Sequence, residues 1–166
     1  MKVTKQIQVL SPYAGMALLA ALLAGPMPSA IAAQTKSQLE KSFAQKLVVA
    51  TQANHHESDE ISISADTSRG CIGIASTDKS DIGGKCEKED SEPIRTGKPV
   101  VEKEKDSFDV SLPLHDSSGT LIGAAGVGFK PAPGQTEASV TVQALKIVAE
   151  MEKLIPSKDK LLETAK

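Results

Sequence analysis

FDVSLPLHDSSGTLIGAAGVGF, residues 108–129, holds two apolar runs on either side of a turn. Phe108, Val110, Leu112 and Leu114 alternate with Ser107, Asp109, Ser111 and Pro113. That period of two is the mark of a half-buried strand. Asp116-Ser117-Ser118-Gly119 follows as a turn, with a glycine suited to positive φ. Residues 120–129 then return, so the stretch reads as a β-hairpin. Leu121, Ala125, Val127 and Phe129 fall on one face of the return strand. Ile122, Ala124, Gly126 and Gly128 fall on the other. Both faces are small or apolar, which predicts a central strand covered on both sides. Its glycines weaken a strand and point to close approach by a helix or a ligand.

Residues 34–53 predict one helix, with Leu39, Phe43, Leu47 and Ala50 at spacings of three and four. Ser37 and Glu40 suit a capping box at its start. After a polar loop at 54–59, Ile61-Ser62-Ile63-Ser64 and Cys71-Ile72-Gly73-Ile74-Ala75 read as strands. Residues 76–99 are polar and glycine-rich, with a short helix around 87–95 that Pro93 interrupts. Residues 100–105 suggest a further strand. Downstream, Pro131-Ala132-Pro133-Gly134 ends the sheet. A helix over 135–154 follows, with Val140, Ala144, Ile147, Val148, Met151 and Leu154 as its stripe. Glu137 suits its start and Pro156 its end. Residues 157–166 form a charged tail, in which Leu161 and Leu162 suit one short docked turn. This order predicts an α+β domain with an antiparallel sheet.

Composition narrows the function classes. The 166 residues are 40% hydrophobic but 2% aromatic, with no Trp. Stacking platforms for single-stranded nucleic acid and aromatic cages for quaternary amines lack their raw material. Acids and bases are interspersed, and no basic patch invites nucleic acid or anionic membrane. Residues 1–33 read as a secretory signal peptide. They combine the basic Lys2 and Lys5, an apolar stretch over 14–24, a Gly25-Pro26 break and Ala30-Ile31-Ala32 before the cut. The leader holds those two lysines and no acid, so removing it takes the formal charge from −2 to −4. The expected location is periplasmic or secreted, with no membrane span in the mature chain. The expected organisation is a single domain over 34–156 followed by the tail 157–166.

Residues 108–129 resemble the last two strands of Cache domains, the extracytoplasmic PAS-like sensor domains of bacteria. Asp81-Ile82-Gly83 and Ile94-Arg95-Thr96-Gly97-Lys98-Pro99-Val100-Val101 agree with the resemblance, which covers 34–130. It implies a PAS-like (profilin-like) five-stranded antiparallel sheet, a long helix on one face and a small-ligand pocket on the other. It also implies a sensory domain that binds a small organic molecule. Two departures stand out. The sequence shows no transmembrane or signalling module, which suggests a stand-alone secreted relative working with a membrane-bound signalling partner. Gly128 stands where many amino-acid-binding Cache domains carry an aspartate in the final strand.

Candidate chemistry is sparse. Cys71 and Cys86, an even pair in an exported chain, suggest a disulfide, with two free thiols or a redox pair as the alternatives. Arg95 is one of two arginines; its fork suits a carboxylate ligand, and an ordinary surface arginine is the competing reading. Asp109 and Ser111 lie on the polar face of their strand. They contact a ligand if that face borders the pocket and meet solvent if it does not. His55-His56 with Glu57 and Asp59 reads as a solvated loop rather than a metal site, and His115 sits at the hairpin turn. No nucleophile or acid–base constellation appears, so neither enzyme nor cofactor is expected. A structural or interaction module of the cell envelope, without ligand, is the competing reading.

Overall fold

The computed structural model describes residues 34–164 apart from Glu104 and Asp106, so the signal-peptide reading of 1–33 lies outside the described residues. Ten elements follow one another in chain order. They are α1 (Lys36–Leu39), α2 (Phe43–Asn54), β1 (Ser58–Thr67), β2 (Gly70–Ser76), α3 (Lys88–Thr96), β3 (Val100–Lys103), β4 (Phe108–His115), β5 (Leu121–Phe129), α4 (Glu137–Glu152) and α5 (Lys158–Leu162). The strands form one antiparallel sheet in the order β2-β1-β5-β4-β3. The hairpin's return strand therefore lies at the centre, as its two apolar faces require.

Register sorts the side chains into two faces. Val110 pairs with Val127, Leu112 with Ala125, Ile61 with Val127 and Ile63 with Ala125. These residues are buried and share one core with Leu47 and Val48 of α2 and Val140, Ile147 and Met151 of α4. The opposite face carries two rows of small and polar residues. One runs Glu102, Asp109, Gly128, Glu60 across β3, β4, β5 and β1. The next runs Val100, Ser111, Gly126, Ser62, Ser76 across all five strands. The second face is covered by α3, which packs on β5 and β4.

Several local expectations are corrected. The single helix over 34–53 is two helices, because Ser42 acts as a second N-cap. Its hydroxyl accepts from Gln45 N at 3.1 Å, and the chain breaks before it. The capping box at the first start is Thr35 with Gln38, two residues ahead of Ser37. Ala50 faces solvent and Val48 takes its core position. Pro93 does not interrupt α3. It forfeits one bond to a carbonyl in the first turn, and burial of its ring against the sheet compensates. Leu154 is 60% exposed, because α4 ends at Glu152 and the turn puts Ile155 into the core instead. Residues 158–162 are a helix, with Leu161 and Leu162 buried.

The turn between β4 and β5 is built as its residues suggest. The Asp116 carboxylate accepts from Ser118 N at 2.9 Å and Thr120 N at 3.1 Å, and Gly119 takes φ +85°. His55 pins α2 to α4, with Nδ1 3.1 Å from Glu57 and Nε2 2.9 Å from Glu150. Both partners only accept when ionised, so the ring is best satisfied as an imidazolium. Burial opposes that charge, but the two glutamates outweigh it and raise the pKa above 6.5. This contribution is complete below pH 6.5 and is lost as pH rises through the raised value. Glu150→Gln is expected to lower the His55 titration midpoint seen by NMR. It should cost about 0.5 kcal/mol at pH 6, since Glu150 is exposed. An unmoved midpoint would show that the pair does not form in solution.

Candidate ligand-binding site

A cavity of about 450 Å³ lies between the small-residue face of the sheet, α3 and the loop that joins β2 to α3. That volume suits a small organic molecule. Its floor is β5. A methyl group added at Gly126 would land 2.5 Å from Ser62 Oγ, and one at Gly128 would land 2.8 Å from Asp109 Oδ1. The two glycines therefore leave a trough along the central strand, walled by side chains of β1 and β4. This explains why glycine occupies positions where it weakens a strand.

The walls are acidic. Glu60, Asp81, Glu87, Glu89, Asp90, Glu102 and Asp109 line the cavity, and among the described residues Lys85 is the one basic side chain in the lining. Among the described residues, no aromatic ring belongs to this lining. Ser62, Ser64, Ser76, Ser80 and Ser111 add hydroxyl groups. Glu60 is half-buried, and the Ser76 hydroxyl donates to its Oε1 at 2.7 Å. Burial pushes the Glu60 carboxyl up from 4.5 to about 7 against that hydrogen bond, and the neighbouring Asp81 and Asp78 add to the rise. Asp90 is raised as well, by burial and then by the charges of Glu87, Glu89 and Asp81, against one backbone hydrogen bond. Glu60 and Asp90 thus resist ionisation chiefly because they are buried, and a positive charge beside them would favour it.

The loop wall is held by covalent and backbone bonds. Cys71 and Cys86 form a disulfide with their Cα atoms 5.4 Å apart. Gly73 N donates to Gly84 O at 2.9 Å and Gly83 N to Gly73 O at 2.8 Å, so the loop runs back along the edge of β2. This brings Asp81, Lys85 and Glu87 to the cavity.

Of the residues singled out from the sequence, Asp109 and Ser111 do line the cavity. Arg95 does not: it is exposed on α3, outside the lining. Glu60, Asp81, Asp90 and Ser62 were not anticipated. For Glu60 and Ser62 a signal was available, because in Glu60-Ile61-Ser62-Ile63-Ser64 both share the face opposite the isoleucines. Asp81 belongs to a segment without periodicity, and only the folded loop brings it to Glu60; Asp90 reaches the cavity through the packing of α3. Although β5 itself carries no acid at Gly128, Asp109 and Glu60 flank that position from the two neighbouring strands.

No family model matches the chain, and no curated protein matches it by sequence. Solved structures are similar in fold. The Agrobacterium tumefaciens repressor BlcR aligns with a TM-score of 0.50 at 7% identity, over 78% of this chain and 71% of that one. The GAF domain of A. aeolicus nlh2 aligns at 0.48 and 11% identity, over 72% and 87%. The E. coli DcuS sensor domain aligns at 0.43 and 16% identity, over 66% and 77%. At these identities the likeness is one of fold alone.

Proposed function

We propose that this chain is an exported, PAS-like sensory domain of the Cache kind that binds a small organic cation and performs no chemistry of its own. The acidic cavity over the glycine trough carries this reading. A ligand with primary ammonium or guanidinium groups would give each carboxylate a charge-assisted hydrogen bond. Quaternary amines, which have no N–H to donate, suit this lining poorly. A carboxylate ligand, which Arg95 had suggested, would meet seven acidic side chains against one lysine. Export is supported by the three-part leader pattern of residues 1–33 and by a disulfide that fits an oxidising compartment. A membrane-bound signalling protein is the expected receiver of the bound state.

Thermal shift and calorimetry with 1,4-diaminobutane, spermidine and agmatine test the reading, with succinate, benzoate and tetramethylammonium as controls. The amines should raise Tm and the controls should not. Stabilisation by the dicarboxylate alone would overturn it. Arg95→Ala is expected to leave amine affinity within about twofold, because an exposed charge outside the lining contributes little. A loss of tenfold or more would place Arg95 at the ligand. Val142 and Leu145, half-exposed on α4, favour the second reading of an envelope interaction module. That reading gains if none of these compounds binds and the domain is retained by an envelope partner through α4.

A further inference from the structure

We infer that occupancy of the cavity is passed to the C-terminal segment, residues 158–164, along one hydrogen-bonded path: Glu60, Ser76, Gln45, Ser42. The inference rests on the cavity being the ligand site, and concerns how that site is regulated.

Ser76 is the last residue of β2, where the strand gives way to the cavity loop, and it is 1% exposed. Its hydroxyl donates to Glu60 and accepts from Asp78 N at 2.9 Å. Its main chain is gripped from the opposite side of the sheet. Ser76 N donates to Gln45 Oε1 at 3.1 Å, and Gln45 Nε2 donates to Ser76 O at 2.8 Å. Gln45 is buried on α2, where an aliphatic residue would pack without needing two partners. The amide instead ties the helix layer to the point where the cavity wall begins.

The same turn of α2 holds the C-terminal segment. Ser42, fully buried, caps Gln45 and pairs with Thr164 in an antiparallel bridge. Phe43 N donates to Glu163 O at 2.9 Å, and Gln34 Nε2 donates to Leu162 O. The segment is short and is anchored by Leu161 and Leu162, so it can open locally while the sheet stays intact. Docked and released segments are thus the two states that the path biases. A cation that draws Glu60 into the cavity takes the acceptor from the Ser76 hydroxyl. The disturbance reaches Gln45 and then the first turn of α2. By linkage, whatever binds the segment changes cavity affinity by the same factor.

Amide hydrogen exchange on the whole domain tests this without a ligand. Glu60→Ala should change exchange at Phe43 and residues 158–164 by about tenfold while leaving α4 unchanged. In a Gln45→Met background the same change should shrink below twofold. Should Gln45→Met unfold, Ser76→Ala serves in its place, since it removes the hydroxyl and keeps the main chain that Gln45 grips. An unaltered Phe43 amide in Glu60→Ala, or an equal change with the path cut, overturns the inference. Titration with 1,4-diaminobutane separates the two proposals. Absence of binding by any amine fails the ligand reading, whereas binding that leaves Phe43 exchange unmoved fails the path.

Discussion

Glu60→Gln is expected to stabilise the domain at pH 8 by about 1–2 kcal/mol while weakening amine binding about tenfold. The first effect follows from burial. With its carboxyl raised from 4.5 to about 7, the folded chain holds the Glu60 proton more tightly than the unfolded chain does. The resulting stability is complete below pH 4.5 and is lost as pH rises through 7. Above that, the fold carries an ionised glutamate beside Asp81 and Asp78. The full shift corresponds to roughly 3 kcal/mol at 1.36 kcal/mol per pH unit, and solvent reaching this half-buried group screens it to the smaller figure. Glutamine removes the charge and still offers an oxygen to the Ser76 hydroxyl. Urea unfolding of the variant should therefore show its gain at pH 8 and almost none at pH 4. The second effect follows from losing a charged acceptor for the ligand. Such opposition between stability and function is common at binding sites. Destabilisation at pH 8 would mean that the glutamate already has a positive partner in the free protein.

Replacing Cys71 and Cys86 together by serine should cost about 3 kcal/mol, the chain-entropy value for a loop of this length. The bridge spans a sequence separation of 15 and encloses the cavity loop. The bonds from Gly73 to Gly84, Gly83 to Gly73 and Cys86 to Cys71 survive the substitution. The folded loop should accordingly keep its course, and the loss should arise chiefly from freedom restored to the unfolded chain. The urea midpoint should fall while amine affinity of the folded domain holds, because Asp81 and Glu87 keep their places on the wall. A loss below about 0.5 kcal/mol would show that the backbone ladder alone restrains this segment in both states.

The hairpin was legible because its information is local. Period-two alternation placed Phe108, Val110, Leu112 and Leu114 in the core, and the doubly apolar return strand placed β5 at the centre. The helices were legible in existence but not in detail. Ser42 outcompetes helix continuity only because its side chain is buried and Thr164 comes back to pair with it, a contact 122 positions away in the chain. Leu154 and Ile155 are equally apolar neighbours, and only the turn after α4 decides which is buried. Asp109 and Ser111 were assigned to a polar face, yet whether that face met solvent or a ligand depended on where α3 would lie.

Sequence by itself determined the class of the fold, the two faces of the central hairpin and the scarcity of rings for stacking. Each depends on neighbours in the chain or on composition. Tertiary structure decided the sign of the site. Glu60 on β1, Asp81 in the loop, Asp90 on α3 and Asp109 on β4 are scattered among lysines along the chain, where they read as an ordinary solvated surface. Sheet order, the Cys71–Cys86 bridge and the missing side chains of Gly126 and Gly128 bring them around one cavity and leave Arg95 outside it. Charge acts through distance and dielectric, and both are properties of the folded chain.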